Sequence, residues 1–311
     1  MILKKPKFWD YNKPNIFAYI LSPIAYLIKL INFFLQTSKP RKFRIKTICL
    51  GNIYVGGTSK TPLTIKLNQI LQKLHFKTAT IKKYYKDQID EQKLLSMKSN
   101  LYCRKKRLDA LDVAIKDKID IAIFDDGLQD RHLKYDLSFV CFNNINWIGN
   151  GLLIPSGPLR EKLKSISKYD AIFLNGNDDN NSDIKNSIKK IDPNIKIFET
   201  YYEPTNHQEF NIEDNYLIFS GIANPDSFKN TLLKKKFKII KEINFPDHYQ
   251  YKKKDIEEIK LIAENIKAKI ITTEKDFVKI PKEYLNNINF LEIDIIIKQE
   301  NELISFIKSK I

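Results

Sequence analysis

A short apolar run, Thr47–Leu50, leads straight into a loop that holds three of the chain's nine glycines: Gly51-Asn-Ile-Tyr-Val-Gly56-Gly57-Thr58-Ser59-Lys60-Thr61-Pro62. Apolar residues then recur at Leu63, Leu67, Ile70, Leu71 and Leu74, the period of an amphipathic helix beginning near Lys60. A strand, a glycine loop and a helix in this order make a cradle in which backbone N–H groups at a helix N-terminus hold a phosphate chain. Lys60 brings a positive charge to the outer phosphates, and the Thr61 hydroxyl suits Mg²⁺. Pro62 fits the first helical turn, where its missing N–H costs nothing. Tyr54, Val55, Gly56, Gly57, Thr58, Ser59, Lys60 and Thr61 are therefore the expected nucleotide contacts. The match to G-x-x-x-x-G-K-[ST] is imperfect, because Tyr54 stands at the first glycine position and Ser59 at the last. A glycine turn that merely opens a helix would read the same on this segment alone.

A second signal is Ile121-Ala-Ile-Phe-Asp125-Asp126-Gly127-Leu128-Gln129. A buried strand that ends in two acids delivers carboxylates to the C-terminal edge of a sheet, where ligands of such sheets bind. One of them can hold Mg²⁺ directly or through water. A strand-ending Asp-Gly turn is the plain alternative. A third segment packs three glycines and two prolines into a tight loop, Gly149-Asn-Gly151-Leu-Leu-Ile-Pro155-Ser-Gly157-Pro158-Leu159-Arg160-Glu161. Its Arg160–Glu161 end suits phosphate clamping and metal or water positioning, or else a surface ion pair.

Further apolar runs at Thr78–Ile81, Ile119–Phe124, Leu137–Phe142 and Ala171–Leu174 alternate with helical stretches, the pattern of a mostly parallel sheet covered by helices. Asn175–Ser187 is polar and of low complexity and reads as a surface loop. A second alternating set follows: Tyr216–Ser220, Phe237–Ile243, a helix near Lys254–Asn265, Lys269–Ile271 and Phe290–Ile297. The expected fold is α/β, with two α/β/α domains after an N-terminal apolar helix and basic linker (1–46): a P-loop NTPase-like domain (47–205) and a C-terminal domain (206–311). Ile195–Phe210 is the expected linker between them.

The formal charge is +16, and it is concentrated at the N-terminus, where residues 1–46 hold ten basic side chains against Asp10 alone. That distribution argues against a uniformly basic nucleic-acid coat. Between the flanking lysines and arginines, Ile16–Leu35 is interrupted only by Ser22, Pro23, Lys29 and Asn32. Ser22, Ala25, Lys29, Asn32 and Gln36 fall on one narrow helical stripe. Three readings stay open: a helix lying in the membrane interface, a spanning helix, or a helix packed on the body. No small-x-small cleavage site follows, so a removed signal peptide is not expected. The cysteines Cys49, Cys103 and Cys141 are too far apart for a metal knuckle or disulfide scaffold, and they suit a reducing, cytosolic setting.

Two further segments, Phe245-Pro-Asp-His-Tyr249 and Thr273-Glu-Lys-Asp-Phe-Val-Lys279, have no meaning on periodicity alone. Taken in order, however, GNIYVGGTSKTP, DDGLQ, LLIPSGPLRE, GIANP, FPDHY and TEKDFVK resemble the tetraacyldisaccharide 4′-kinase (lipid A 4′-kinase) family. The resemblance covers about residues 14–280, and the quoted segments hold six of the nine glycines. It implies transfer of the ATP γ-phosphate to the 4′-hydroxyl of a tetraacyldisaccharide 1-phosphate with Mg²⁺, at the cytoplasmic face of the inner membrane. No nucleic acid and no obligate protein partner are expected. By motif, Lys60 and Thr61 serve phosphates and metal, Asp125, Asp126 and Glu161 the metal, and Arg107, Gln129 and Arg160 the substrate. The catalytic base corresponds to Asp90, paired with His248. The chain departs from the family pattern at Lys82-Lys-Tyr-Tyr-Lys86, which lacks the family's glycines, at Ser59, and at Asp130, where the family often has His. The other readings are a P-loop NTPase of another class that serves a protein or nucleic acid, and a membrane-bound nucleotide sensor.

Overall fold

The computed structural model describes residues 5–34, 40–176, 181–222 and 224–311. A 3₁₀ turn, Lys7–Asp10, precedes helix α1 (Ile16–Phe34). The expected continuation of that helix to Leu35 and Gln36 lies outside the described residues. Then come β1 (Lys46–Gly51), α2 (Lys60–Lys73), β2 (Thr78–Lys83), α3 (Ile89–Lys98), β3 (Leu101–Arg104), α4 (Arg107–Lys116) and β4 (Ile121–Asp125). They are followed by β5 (Leu137–Asn143), β6 (Ala171–Asn175), α5 (Asn181–Ile191) and β7 (Lys196–Pro204). The remainder is β8 (Asn215–Ser220), α6 (Pro225–Lys234), β9 (Lys238–Asn244), α7 (Lys253–Asn265), β10 (Lys269–Thr273), the one-turn α8 (Glu274–Phe277), β11 (Ile288–Leu291), β12 (Ile293–Ile297) and α9 (Glu300–Lys310).

Two sheets result. The first has eight strands in the order β12-β7-β6-β5-β1-β4-β2-β3, parallel throughout except where β12 runs against β7. Its central strands are buried on both faces, which is why they read as unbroken apolar runs rather than as alternation. Leu63, Leu67, Ile70 and Leu71 of α2 close one face together with Leu303 and Ile307 of α9. Ala110, Leu111 and Ala114 of α4 cover the opposite side of β2 and β4. The second sheet is parallel, in the order β11-β10-β8-β9. Phe228 and Leu232 of α6 pack on one of its faces and Ile256, Ile259 and Ala263 of α7 on the other.

Four expectations are corrected. The supposed linker contains β7, a full strand of the first sheet. Its polar residues misled because they are partnered: Glu199 takes hydrogen bonds from Asn181 and Lys185 while Phe198 points into the core. The supposed loop Asn175–Ser187 starts on the last residue of β6, and its second half opens α5, whose Ile184 and Ile188 are buried; residues 177–180 lie outside the described ones. The apolar run Phe290–Ile297 is not one strand, because Glu292 separates β11 of the second sheet from β12 of the first. A boundary at 205/206 therefore does not divide the sheets, since Ile293–Ile311 returns to the first. The two crossings lie side by side: Thr205 N donates to Glu292 O at 3.0 Å, and Glu292 N donates to Asn206 Oδ1 at 2.8 Å.

Helix α1 rests on the body through Ala18 and Ala25, which are buried. Its large apolar side chains face outward: Ile16, Phe17, Tyr19, Ile20, Tyr26 and Leu27 are all more than half exposed. Among the described residues no helix is long and apolar enough to cross a membrane.

Candidate active site

Strands β1 and β4 are register neighbours, Leu50 against Asp125, so the loop after β1 and the acids after β4 meet at one sheet edge. β2 adds Lys82 directly opposite Asp125. A cleft of about 670 Å³ opens there between the two sheets. Val55, Gly56, Gly57, Thr58, Ser59, Lys60 and Thr61 line one wall, as the loop motif predicts. Tyr54 does not. Its ring is buried, its hydroxyl donates to Asp10 Oδ1 at 2.8 Å, and Lys5 stacks on it, so it anchors the loop from behind. Gly56 must be glycine: its φ is +150°, and an added Cβ would lie 2.8 Å from the Tyr54 ring. The tight loop seen in the sequence is the front wall, with Val55 N donating to Pro158 O at 2.8 Å and Arg160 N to Ile53 O at 2.7 Å.

Ser59, in place of a glycine, sits at φ +63° in the left-handed region. The strain is compensated by a buried hydrogen bond to its hydroxyl from Asn175 Nδ2, and Thr200 in turn donates to Asn175 Oδ1 at 3.3 Å.

Thr61 Oγ1 donates to Asp125 Oδ2 at 3.2 Å, and Lys82 Nζ reaches the same oxygen at 2.6 Å. Asp125 Oδ1 is buried and has no hydrogen-bond partner among the described residues, and neither has Thr58 Oγ1. A hydroxyl beside an open carboxylate oxygen fits Mg²⁺, which binds through one or two protein oxygens and completes its shell with water and phosphate. Asp126 is held by Arg160 at 3.0 Å, with Lys60 3.9 Å away. Burial alone would raise its carboxyl, but Lys60 and Arg160 outweigh it and hold Asp126 below the usual carboxylate range.

The remaining expected metal and substrate residues form a chain beside this center. Arg160 donates to Gln129 Oε1 at 3.1 Å, and Gln129 Nε2 donates to Glu161 Oε1 at 2.9 Å, which also accepts from Tyr169. Glu161 does not line the cleft; its carboxylate sets the orientation of Gln129. Arg107 is nearly buried behind Asp126, donating to the Asp126 carbonyl and pairing with Asp130 at 3.4 Å. It shapes the acidic turn and has no face on the cleft.

Asp90 and His248 come together from opposite sides of the cleft. Asp90 lies in the first turn of α3 and is fully buried. His248 follows β9, is about one-fifth exposed and lines the cleft, which Asp90 does not. His248 Nδ1 is 3.0 Å from both Asp90 oxygens. The carboxylate can only accept, so Nδ1 carries the proton, while Nε2 makes no hydrogen bond among the described residues and has Asp247 Oδ2 3.6 Å and Glu91 Oε1 4.0 Å away. Burial would raise the Asp90 carboxyl; the hydrogen bond from His248 and the nearby Lys275 outweigh it and keep it below its ordinary value. Four partners had no role in the motif reading. Glu91 pairs with Lys82 at 2.8 Å. Lys275 stands 3.5 Å from Asp90 and 3.2 Å from Asp247. Lys279 pairs with the buried Asp276 at 2.6 Å. Lys275 and Lys279 stand in the TEKDFVK segment, so the motif marked them without saying what they do. Lys82 had one signal, a lysine directly after the run Thr78–Ile81.

The family model for tetraacyldisaccharide-1-P 4′-kinase matches residues 17–100 and 87–311. The tetraacyldisaccharide 4′-kinase of Pelagibacter ubique (strain HTCC1062) is 48% identical over 303 residues, covering 97% of this chain and 96% of its own. This chain belongs to the tetraacyldisaccharide 4′-kinase family. The relative from Rickettsia bellii (strain OSU 85-389) is 33% identical across 88% of this chain and 89% of its own. The crystal structure of LpxK from Aquifex aeolicus in complex with ATP shares the fold, with a TM-score of 0.70 and 22% identity over 94% of this chain and 99% of that one. In this member of the tetraacyldisaccharide 4′-kinase family the glycine-free segment, expected to depart from the pattern, still leads Asp90 to His248: Lys82 and Lys83 finish β2, and the chain then turns into α3.

Proposed function

We infer that this chain is an ATP-dependent kinase that phosphorylates the 4′-hydroxyl of a tetraacyldisaccharide 1-phosphate in lipid A biosynthesis. The observation that carries this reading is a single cleft with the phosphate loop on one wall and His248, backed by Asp90, on the other. Lys60, Arg160 and the backbone of residues 55–61 supply fixed positive charge where negative charge is redistributed in phosphoryl transfer. The Asp90–His248 pair takes the proton of the acceptor hydroxyl, and the imidazole is its cleft-facing end. Thr61 and Asp125 would hold Mg²⁺, with Asp126 beside them, and the bound ion would supply charge neutralisation at the phosphates. Arg160, oriented by Gln129, forms the rim that meets the acceptor.

The outward apolar face of α1 and the basic residues around it favour the membrane interface over a helix packed on the body. We place that helix on the cytoplasmic face of the inner membrane, where ATP and a membrane-held, anionic lipid acceptor are both within reach. An NTPase driven by protein or nucleic acid gives no reason for this face. The test is an assay with γ-labelled ATP, Mg²⁺ and the disaccharide 1-phosphate in detergent micelles. A product heavier by one phosphate on the non-reducing sugar is expected. ATP hydrolysis indifferent to the glycolipid would overturn the reading.

A further inference from the structure

Lys82 is a lysine where a core residue is expected. It lies in β2, where the flanking Ile81 is fully buried, and its side chain is 3% exposed. In the parallel register Lys82 is the direct neighbour of Asp125, so both side chains leave the same face of the sheet at its C-terminal edge. Its ammonium lies 2.6 Å from Asp125 Oδ2 and 2.8 Å from Glu91 Oε2. Glu91 follows Asp90 in the chain, and its other oxygen is 3.6 Å from Lys275 and 4.0 Å from His248 Nε2. One buried cation thus joins the acid beside the phosphate loop to the turn that carries Asp90.

We propose that Lys82 is a positioning residue for phosphoryl transfer: it pins Asp125 by Oδ2, leaving Oδ1 open beside Thr61, and it ties Glu91, and with it Asp90, to the same sheet edge. An ammonium held between the buried Asp125 and the half-buried Glu91 has a narrow choice of positions, so the span between the phosphate loop and the turn that carries Asp90 is set by a direct bridge rather than by a loop. This inference rests on the kinase reading above.

The test compares Lys82→Met, Lys82→Arg, Glu91→Gln and the Lys82→Met/Glu91→Gln double variant with the parent, by kcat, by KM for ATP and by ATP binding in EDTA. Displacement of aligned groups by about 1 Å costs about 100-fold, so kcat of Lys82→Met should fall by about that factor while KM for ATP and metal-free ATP binding stay within about threefold. Lys82→Arg, which keeps the charge, should recover at least about tenfold of the loss, and the double variant should be no slower than Lys82→Met alone. A Lys82→Met enzyme within about threefold of the parent kcat, or fully additive losses in the double variant, would overturn the role. Should Lys82→Met not fold, Glu91→Gln decides by itself: kcat lowered about tenfold at unchanged KM is expected, and an unchanged kcat refutes the bridge. A parent inactive on the glycolipid would overturn the kinase reading and this role together, whereas an active parent with a fast Lys82→Met variant removes only Lys82.

Discussion

His248 Nδ1 stands 3.0 Å from each carboxylate oxygen of Asp90, although Asp90 is carried by the first sheet's α3 and His248 by the loop after β9 of the second. The pair therefore exists only while the two sheets face each other across the cleft. His248→Gln keeps a polar side chain but removes the basic nitrogen, and kcat should fall by about 10²–10⁴. ATP binding, measured by titration without acceptor, should hold. Turnover near the parent's would take the imidazole out of the proton path.

Lys60 opens α2 with its ammonium 3.9 Å from Asp126 Oδ1. Lys60→Ala should lower kcat/KM by at least about 100-fold, the loss seen when one fixed charge or donor is withdrawn from a transition state. Steady-state kinetics on the glycolipid checks this, and a melting curve should show the fold retained.

Asp90 also gives a pH signature. Its carboxyl is held below its value in the unfolded chain, so on acidification the unfolded state takes up a proton first. The site's contribution to stability is thus complete above the ordinary Asp range, about pH 4, and is lost as pH falls through the depressed native value. Asp90→Asn should melt at a lower temperature near neutrality and show a shallower loss of stability between about pH 5 and pH 2. Parallel melting curves for parent and variant across that window would contradict the assignment.

Ser59 supplies a test of strain. Ser59→Ala keeps a Cβ at φ +63° and gives up the Asn175 hydrogen bond, whereas Ser59→Gly gives up the same bond and removes the strain. Chemical denaturation should find the glycine variant more stable than the alanine variant by about 1 kcal/mol. The reverse order would mean that the loop tolerates the left-handed turn without cost.

Helix α1 offers the membrane test. Ile20→Ser together with Leu27→Ser removes two exposed apolar side chains without touching Ala18 or Ala25 beneath them. Flotation with anionic liposomes should fall, while the melting temperature stays within about 2 °C because surface substitutions cost little. Undiminished flotation would place membrane attachment elsewhere.

Much of this was legible in the residues. The loop and the Asp125–Asp126 turn follow from strand and helix periods, because parallel strands bury both faces and helices bury one. What was not legible came from long-range pairing. Nothing local says that β7, with Glu199 and Pro204, is a strand, since its polar atoms find partners on α5. Nothing local separates Leu291 from Ile293, because both are apolar and each satisfies a different sheet. Tyr54 reads as part of a nucleotide loop until Asp10 and Lys5 are seen to hold it from the far side. The tie from Lys82 to Asp125 needs the sheet register, which a sequence does not print.

The chain passes between the sheets twice, at Thr205–Asn206 and at Glu292, and the two passages are hydrogen-bonded to each other. A lobe on one cord can swivel freely; a lobe on two adjacent cords can swing about the line through them but resists turning about its own length. On two such cords, any opening of the cleft would carry His248 along an arc about that line, and closing would return the imidazole to Asp90.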